Sequence, residues 1–285
     1  MVKLLMVLII FVLFSGTSTY AALLEGVSIV IPSCDKYSGL WDPFFTLLFK
    51  NWPSLQNGGK HQDIPIFFIS NKKVFEHPRV QNIRFPNEIS WSDNMIETLA
   101  KVKTKYVLYL QEDYFLTESI NEKLLSDLLQ YTKKYNAAYT SLVSMGQSAK
   151  FNKIIEGSPN LVEIATDSQY RTSLQAAIWE KDVFSWLLKS GENMFVFEVD
   201  GSKRSEGIRR LFLAHVNSDL STSFDVVNYI NAVDRGKILD YAVEYVNSQG
   251  ISFDPEEQQL PLKNDSRLSK LKKKIKWKIL ELFDQ

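Results

Sequence analysis

Lys105-Tyr106-Val107-Leu108-Tyr109-Leu110-Gln111-Glu112-Asp113-Tyr114-Phe115-Leu116 decides how this chain is read. Tyr106 to Leu110 is a short apolar run of β-formers that follows a helical pattern, the signature of a buried strand in a parallel sheet. The run stops at Gln111-Glu112-Asp113 and the sequence turns apolar again at Tyr114-Phe115-Leu116. Adjacent carboxylates between apolar neighbours are costly unless something compensates them. A hard divalent cation does so, because Mg²⁺ and Mn²⁺ take oxygen ligands and bridge carboxylates to substrate phosphates. Open α/β sheets also bind their ligands at the C-terminal ends of strands. The plain alternative is a strand end whose acids face water.

The strands and helices on either side give the fold class. Gly26 to Pro32 reads as the first strand, with Ser33-Cys34-Asp35-Lys36-Tyr37 at its exit. Asp42-Pro43 predicts a helix start, Asp42 as N-cap, running through Phe44, Leu47, Leu48 and Trp52. Ile64 to Ser70 and Val80 to Phe85 follow as strands. Ser90 opens a helix whose apolar face is Met95, Leu99 and Val102. Alternation of this kind predicts βαβ units and an α/β fold, a mostly parallel central sheet flanked by helices. Beyond Leu116 the pattern predicts a helix over Ser119 to Tyr135 and strands at Ala138 to Val143, Leu161 to Ala165 and Leu211 to Val216. Asp182 to Leu188 reads as a short helix, and Val226 to Val233 and Ile238 to Val246 as helical or mixed.

Composition narrows the function classes. With 33 Lys+Arg against 33 Asp+Glu, the chain lacks the basic footprint of a general nucleic-acid binder. A hydrophobic fraction of 45% in 285 residues suffices for a sizeable core. Cys34 is the only cysteine, which excludes an internal disulfide framework and a cysteine zinc cluster.

Both ends stand apart. Residues 1–22 combine Lys3, an apolar run from Leu4 to Phe14 and small residues to Ala22, and read as a signal peptide or a membrane anchor. The chain is thus expected to be membrane-associated or exported. Residues 266–284 form a basic amphipathic segment: Leu268, Leu271, Ile275, Ile279 and Leu282 recur at helical spacing among Lys270, Lys272, Lys273, Lys274, Lys276 and Lys278. It suits an anionic membrane surface, or equally a helix packed on the domain with its lysines in solvent. The domain proper is placed at 23–255.

These residues carry a family resemblance. Ile31-Pro32-Ser33-Cys34-Asp35 ends a strand, Asn94 lies early in a helix, Ala100 follows six residues on, and Gln111-Glu112-Asp113 ends an apolar strand. Together with Ser90-Trp91-Ser92, Ser173-Leu174-Gln175 and Phe197-Glu198, this order resembles the nucleotide-sugar glycosyltransferases of the GT-A type, in particular a bacterial branch that builds surface polysaccharides. The resemblance runs from Val27 to about Ser248. It implies a nucleotide-diphosphosugar transferase fold, a nucleotide-diphosphosugar donor, a glycan or lipid-linked acceptor, and a divalent cation (Mn or Mg) on an Asp-any-Asp motif. Here Gln111 holds the first aspartate position, and Asp93 stands where relatives often carry arginine.

Physical reasoning then assigns roles. Asp113, seconded by Glu112, is the expected metal ligand, neutralising charge on the departing diphosphate. Pro32, Ser33 and Asp35 are expected beside base and ribose. Asn94, Gln111 and Glu112 are expected to bind the donor. Glu198, between Phe197 and Val199, is the expected general base, because apolar surroundings raise a carboxylate's pKa toward useful values. Arg171, Arg204, Arg235 and Lys237 are candidate phosphate grips. A non-catalytic glycan- or nucleotide-binding protein on the same scaffold is the alternative. A nucleotidyltransferase would need a glycine-rich phosphate loop, which Ser33-Cys34-Asp35-Lys36 is not.

Overall fold

The computed structural model describes residues 24–263, apart from 88, 146–148, 159 and 217–224. The N-terminal segment 1–22 and the basic tail 266–284 therefore lie outside the described residues. Among these residues, no helix is long and apolar enough to cross a membrane.

The chain forms β1 (Val27–Pro32), β2 (Ile66–Ser70), β3 (Val80–Arg84), β4 (Tyr106–Tyr109), β5 (Tyr114–Leu116) and β6 (Tyr139–Ser141) in order. Then follow β7 (Phe151–Ile154), β8 (Leu161–Ile164), β9 (Ala177–Glu180) and β10 (Phe212–His215). All but β5 join a nine-stranded sheet of order β3-β2-β1-β4-β9-β6-β10-β8-β7. The pairings make β8 and β9 run against the rest, so the sheet is mostly parallel.

Strand alternation builds two cores, one on each face of the sheet. On β1, Ile29 and Ile31 face one side and Val30 the other; on β4, Tyr106 and Leu108 oppose Val107 and Tyr109. The first face is covered by α1 (Trp41–Asn51), α3 (Glu122–Lys134) and the later α7 (Asp240–Ser248). The second is covered by α2 (Trp91–Lys101) and α4 (Lys181–Leu187). Phe197 extends that second cover from a helical stretch of three parts: α5 (Met194–Val196), a π turn (Phe197–Gly201) and α6 (Ser202–Ser205). Because both faces are covered, β1 and β4 are buried at every position, the polar Ser28 of β1 included.

Two local expectations are corrected, and a third, the mixed reading of Ile238 to Val246, is resolved into its parts. Asp42 is not an N-cap: α1 begins at Trp41, straight out of a 3-10 turn over Asp35–Leu40, and Leu40 is already helical. Pro43 is tolerated because the first-turn N–H groups have no intrahelical partner in any case. The segment expected to be helical or mixed after Val226 is instead β11 (Tyr229–Asn231), antiparallel to β5, followed by β12 (Val233–Asp234) and β13 (Lys237–Leu239). The expected Ile238 to Val246 element divides between β13 and α7. By contrast, Ser90 does cap α2, its hydroxyl accepting from the Asp93 N–H at 3.1 Å.

Candidate active site

Beyond the end of β4 a cleft of about 870 Å³ opens. It is lined by Gln111, Glu112, Asp113 and Tyr114 from the strand end and by Ser173, Leu174 and Glu198, with Gln111 and Tyr114 both donating to the Leu174 carbonyl. Lys36, Arg235 and Gly236 line it as well. The size is that of a small-molecule site.

Glu112 and Asp113 differ in what they touch. The Ser33 hydroxyl donates to Glu112 Oε1 at 3.0 Å and itself accepts from Trp41 Nε1 at 2.7 Å. Asp113 Oδ1 is buried and receives no hydrogen bond. Burial pushes both carboxyls well above the usual carboxylate range, and for Glu112 the neighbouring Asp113 adds to it. Such a pair favours a shared proton or a cation. The main-chain oxygen of Asp113 accepts from the Ala232 N–H at 2.7 Å, which lays the β11–β12 segment against the acids. There Tyr229 stacks on Tyr114, ring centroids 4.1 Å apart.

Glu198 sits on the π turn, half-buried. Its Oε1 accepts from the Leu174 N–H at 2.8 Å and the Ser173 hydroxyl at 3.4 Å. Burial raises its pKa against the pull of those two donors. The turn is braced from below: Ser202 Oγ donates to the Glu198 carbonyl at 2.6 Å and lies 3.1 Å from Thr172 Oγ1. A π turn widens the helix locally and is frequent at functional sites.

The sequence-based candidates divide between the cleft and the framework behind it. Gln111, Glu112, Asp113 and Glu198 line one cleft. Ser33 acts behind it, on Glu112, while Pro32 is buried at the end of β1. The Asp35 carboxylate accepts from the main-chain N–H groups of Asn71, Lys72 and Lys73 at 3.0–3.3 Å, tying the exits of β1 and β2 together. Asn94 is buried in the first turn of α2 and outside the cleft lining. Two expected phosphate grips are corrected. Arg171 is fully buried, donating to the Ser205 carbonyl at 2.6 Å with its guanidinium 3.9 Å from the Phe212 ring centroid. Arg204 is spent on Glu192, both nitrogens engaged at 2.8 and 2.6 Å. Arg235 does line the cleft, and it is joined by Lys36, to which the sequence reading gave no role. Tyr170 was missed too; its signal is backbone strain, φ +53°, which no sequence pattern reveals.

Asp113 fits a hard divalent ion in donor chemistry: it lines the cleft and carries one buried, unpartnered carboxylate oxygen. The described residues contain no group of three or more His, Cys, Asp or Glu able to hold a metal alone. Further ligands would have to come from a bound molecule, as Mg²⁺ sites commonly draw on phosphate and water.

No family model and no curated protein matches the sequence. Among solved structures, S. aureus TarS 1–349 in complex with UDP-GlcNAc is similar at 11% identity over 68% of this chain and 56% of that one, TM-score 0.43. A mannosyltransferase, PcManGT from Pyrobaculum calidifontis in complex with GDP-Man and Mn²⁺, is similar at 9% identity over 74% and 58%, TM-score 0.46. Apo UDP-glucose pyrophosphorylase is similar at 8% identity over 79% and 98%, TM-score 0.47. The chain spans just over half the length of the TarS and mannosyltransferase chains.

Proposed function

We propose that this protein is a glycosyltransferase, moving a sugar from a nucleotide-diphosphosugar to a glycan or lipid-linked acceptor with the help of a divalent cation. The observation that carries the reading is one cleft bounded by two unlike acid sites. Asp113 offers an unpartnered buried oxygen, and Glu198, in the same lining, is an oriented carboxylate with a raised pKa. Pairs of titratable groups in different environments are how such sites divide their labour.

Asp113, with Glu112, would hold the cation, which when bound supplies positive charge to the diphosphate as it leaves. Lys36 and Arg235 line the same cleft and add positive charge to it. Glu198 takes the proton from the acceptor hydroxyl as that oxygen bonds to the anomeric carbon and the bond from that carbon to the diphosphate oxygen breaks. The Leu174 N–H and Ser173 hydroxyl hold Glu198 in one orientation, so its second oxygen is left for the acceptor. The Gln111 amide donates to the Leu174 carbonyl at 3.2 Å, so the amide organises the wall instead of adding charge.

A panel of UDP- and GDP-sugars, assayed for nucleoside diphosphate release with and without Mn²⁺, tests the reading. Acceptor-dependent release that needs Mn²⁺ and disappears in Glu198→Gln supports it. Nucleotide-sugar binding without any release favours the non-catalytic alternative.

A further inference from the structure

A second, smaller cavity lies beside the cleft and shares Gln169 and Tyr170 with it as a common wall. Its volume is about 290 Å³ against about 870 Å³ for the cleft. Beyond that wall it is lined by Asp167, Ser168, Ser202, Lys203 and Glu206, with Val199 as its apolar side. Glu198 faces the cleft and the next residue, Val199, faces the smaller cavity, so the two spaces flank one turn of helix.

The lining selects a ligand class. The charges at the small cavity are paired, Asp167 with Lys150 at 2.5 Å and Lys203 with Asp200 at 3.0 Å, so its one lining lysine is already engaged, which disfavours a phosphate or another anion. The polar side chains disfavour a lipid tail. An array of hydrogen-bonding groups with one aromatic and one aliphatic face suits a neutral polyol, whose hydroxyls bond while its C–H face packs on a ring. The wall itself is unusual. Tyr170 is 48% exposed yet held at φ +53°, a strained conformation for a bulky residue. Its carbonyl accepts from the Ser173 N–H at 3.0 Å, which locks it to the loop that orients Glu198. Phe195, 75% exposed, lines the cleft as well.

We propose that the small cavity is a second carbohydrate subsite, so that the acceptor is a neutral oligosaccharide of two or more sugars. Its terminal sugar lies in the cleft near Glu198, and the preceding sugar lies beyond Tyr170. This deepens the transferase reading and rests on it, but it has a binding consequence of its own.

The test is retention of the full chain on an array of neutral mono- to tetrasaccharides, with UDP or GDP present. Wild type should retain disaccharides and longer glycans about tenfold or more over monosaccharides. Tyr170→Ala should remove that preference. Val199→Trp, which fills the small cavity from an exposed position, should remove it too, and circular dichroism would verify both folds. Equal retention of monosaccharides, no retained glycan at all, or a preference unchanged in both variants would overturn the inference. Length-dependent retention by a protein that releases no nucleoside diphosphate from any donor would strike the transferase reading and leave the subsite standing.

Discussion

Glu198 and Gln111, which both line the cleft, are held by the main chain of one residue, Leu174. Its N–H donates to Glu198 Oε1 at 2.8 Å, and its carbonyl accepts from Gln111 Nε2 at 3.2 Å. Glu198→Gln keeps an oxygen for the Leu174 N–H and removes the proton acceptor. Transfer should fall ~100-fold or more while donor binding is kept. Single-turnover kinetics and donor titration on the same preparation separate the two effects; near-normal turnover would move the base to another residue. Wild-type turnover should also rise with pH through the raised value of this carboxyl, since only its ionised form accepts a proton.

The buried acids make a claim about stability. Glu112 titrates above its unfolded value because burial and Asp113 disfavour its charge. The folded state therefore binds protons more tightly than the unfolded one. Without a cation, stability should be greatest below the unfolded carboxylate pKa and should fall as pH rises from there to the raised value. Each tenfold displacement of that proton equilibrium is worth about 1.4 kcal/mol. Urea titrations of wild type and Glu112→Gln across this range check the sign: the variant's stability should vary less with pH. A wild type that gains stability with rising pH there would contradict it.

Metal use is read most directly at Asp113. Mn²⁺ with UDP or GDP should raise the melting temperature of wild type above the value with nucleotide alone, because a ligand of the native state stabilises it. Asp113→Asn should lose that increment and Mn²⁺-dependent turnover while remaining folded. A full Mn²⁺ increment in the variant would remove Asp113 from the site.

Gly201 closes the π turn, where an added Cβ would lie 3.1 Å from Thr172 Oγ1 and 3.3 Å from the Phe197 ring. Both neighbours are fully buried and have little room to yield. Gly201→Ala gains about 1 kcal/mol of helix propensity and loses about 1–3 kcal/mol to overpacking. The net should be a small loss of stability with a larger loss of turnover, because Glu198 moves with the turn. Denaturant melts beside kcat measure both, and unchanged kcat would show that the turn does not position the carboxylate.

The basic tail supplies a prediction from composition alone. Deleting residues 266–285 should release the protein from anionic vesicles, and added salt should do the same to the intact chain. Equal vesicle binding with and without the tail would rule the membrane reading out.

The parallel half of the sheet was legible because β1, β2 and β4 are buried on both faces and so stand out as apolar runs. β7 was not: Phe151-Asn152-Lys153-Ile154 is an exposed edge strand whose composition carries no such signal. Residues after Val226 were ambiguous because a short apolar run has the same look in a strand and in a buried helix. β11 becomes a strand through pairing with β5. Asp113 and Glu198 were legible as acids among apolar neighbours. The fates of Asp35 and Arg171 were not, because the first depends on Asn71 to Lys73 and the second on Ser205 and Phe212, partners that only the tertiary fold brings near.

The π turn at Phe197–Gly201 also has a genetic reading. It accommodates one residue more than an α-helical turn would. Deleting a single codon between Phe197 and Gly201 would let the segment close into regular α-helix with its two flanks still in register. What would be lost is the widened turn itself, and with it the position from which Glu198 reaches the Leu174 N–H. Homologous genes that keep this chemistry should therefore keep the length of this segment even where its side chains drift. A homologue one codon shorter here should have had to recruit its proton acceptor from another part of the chain.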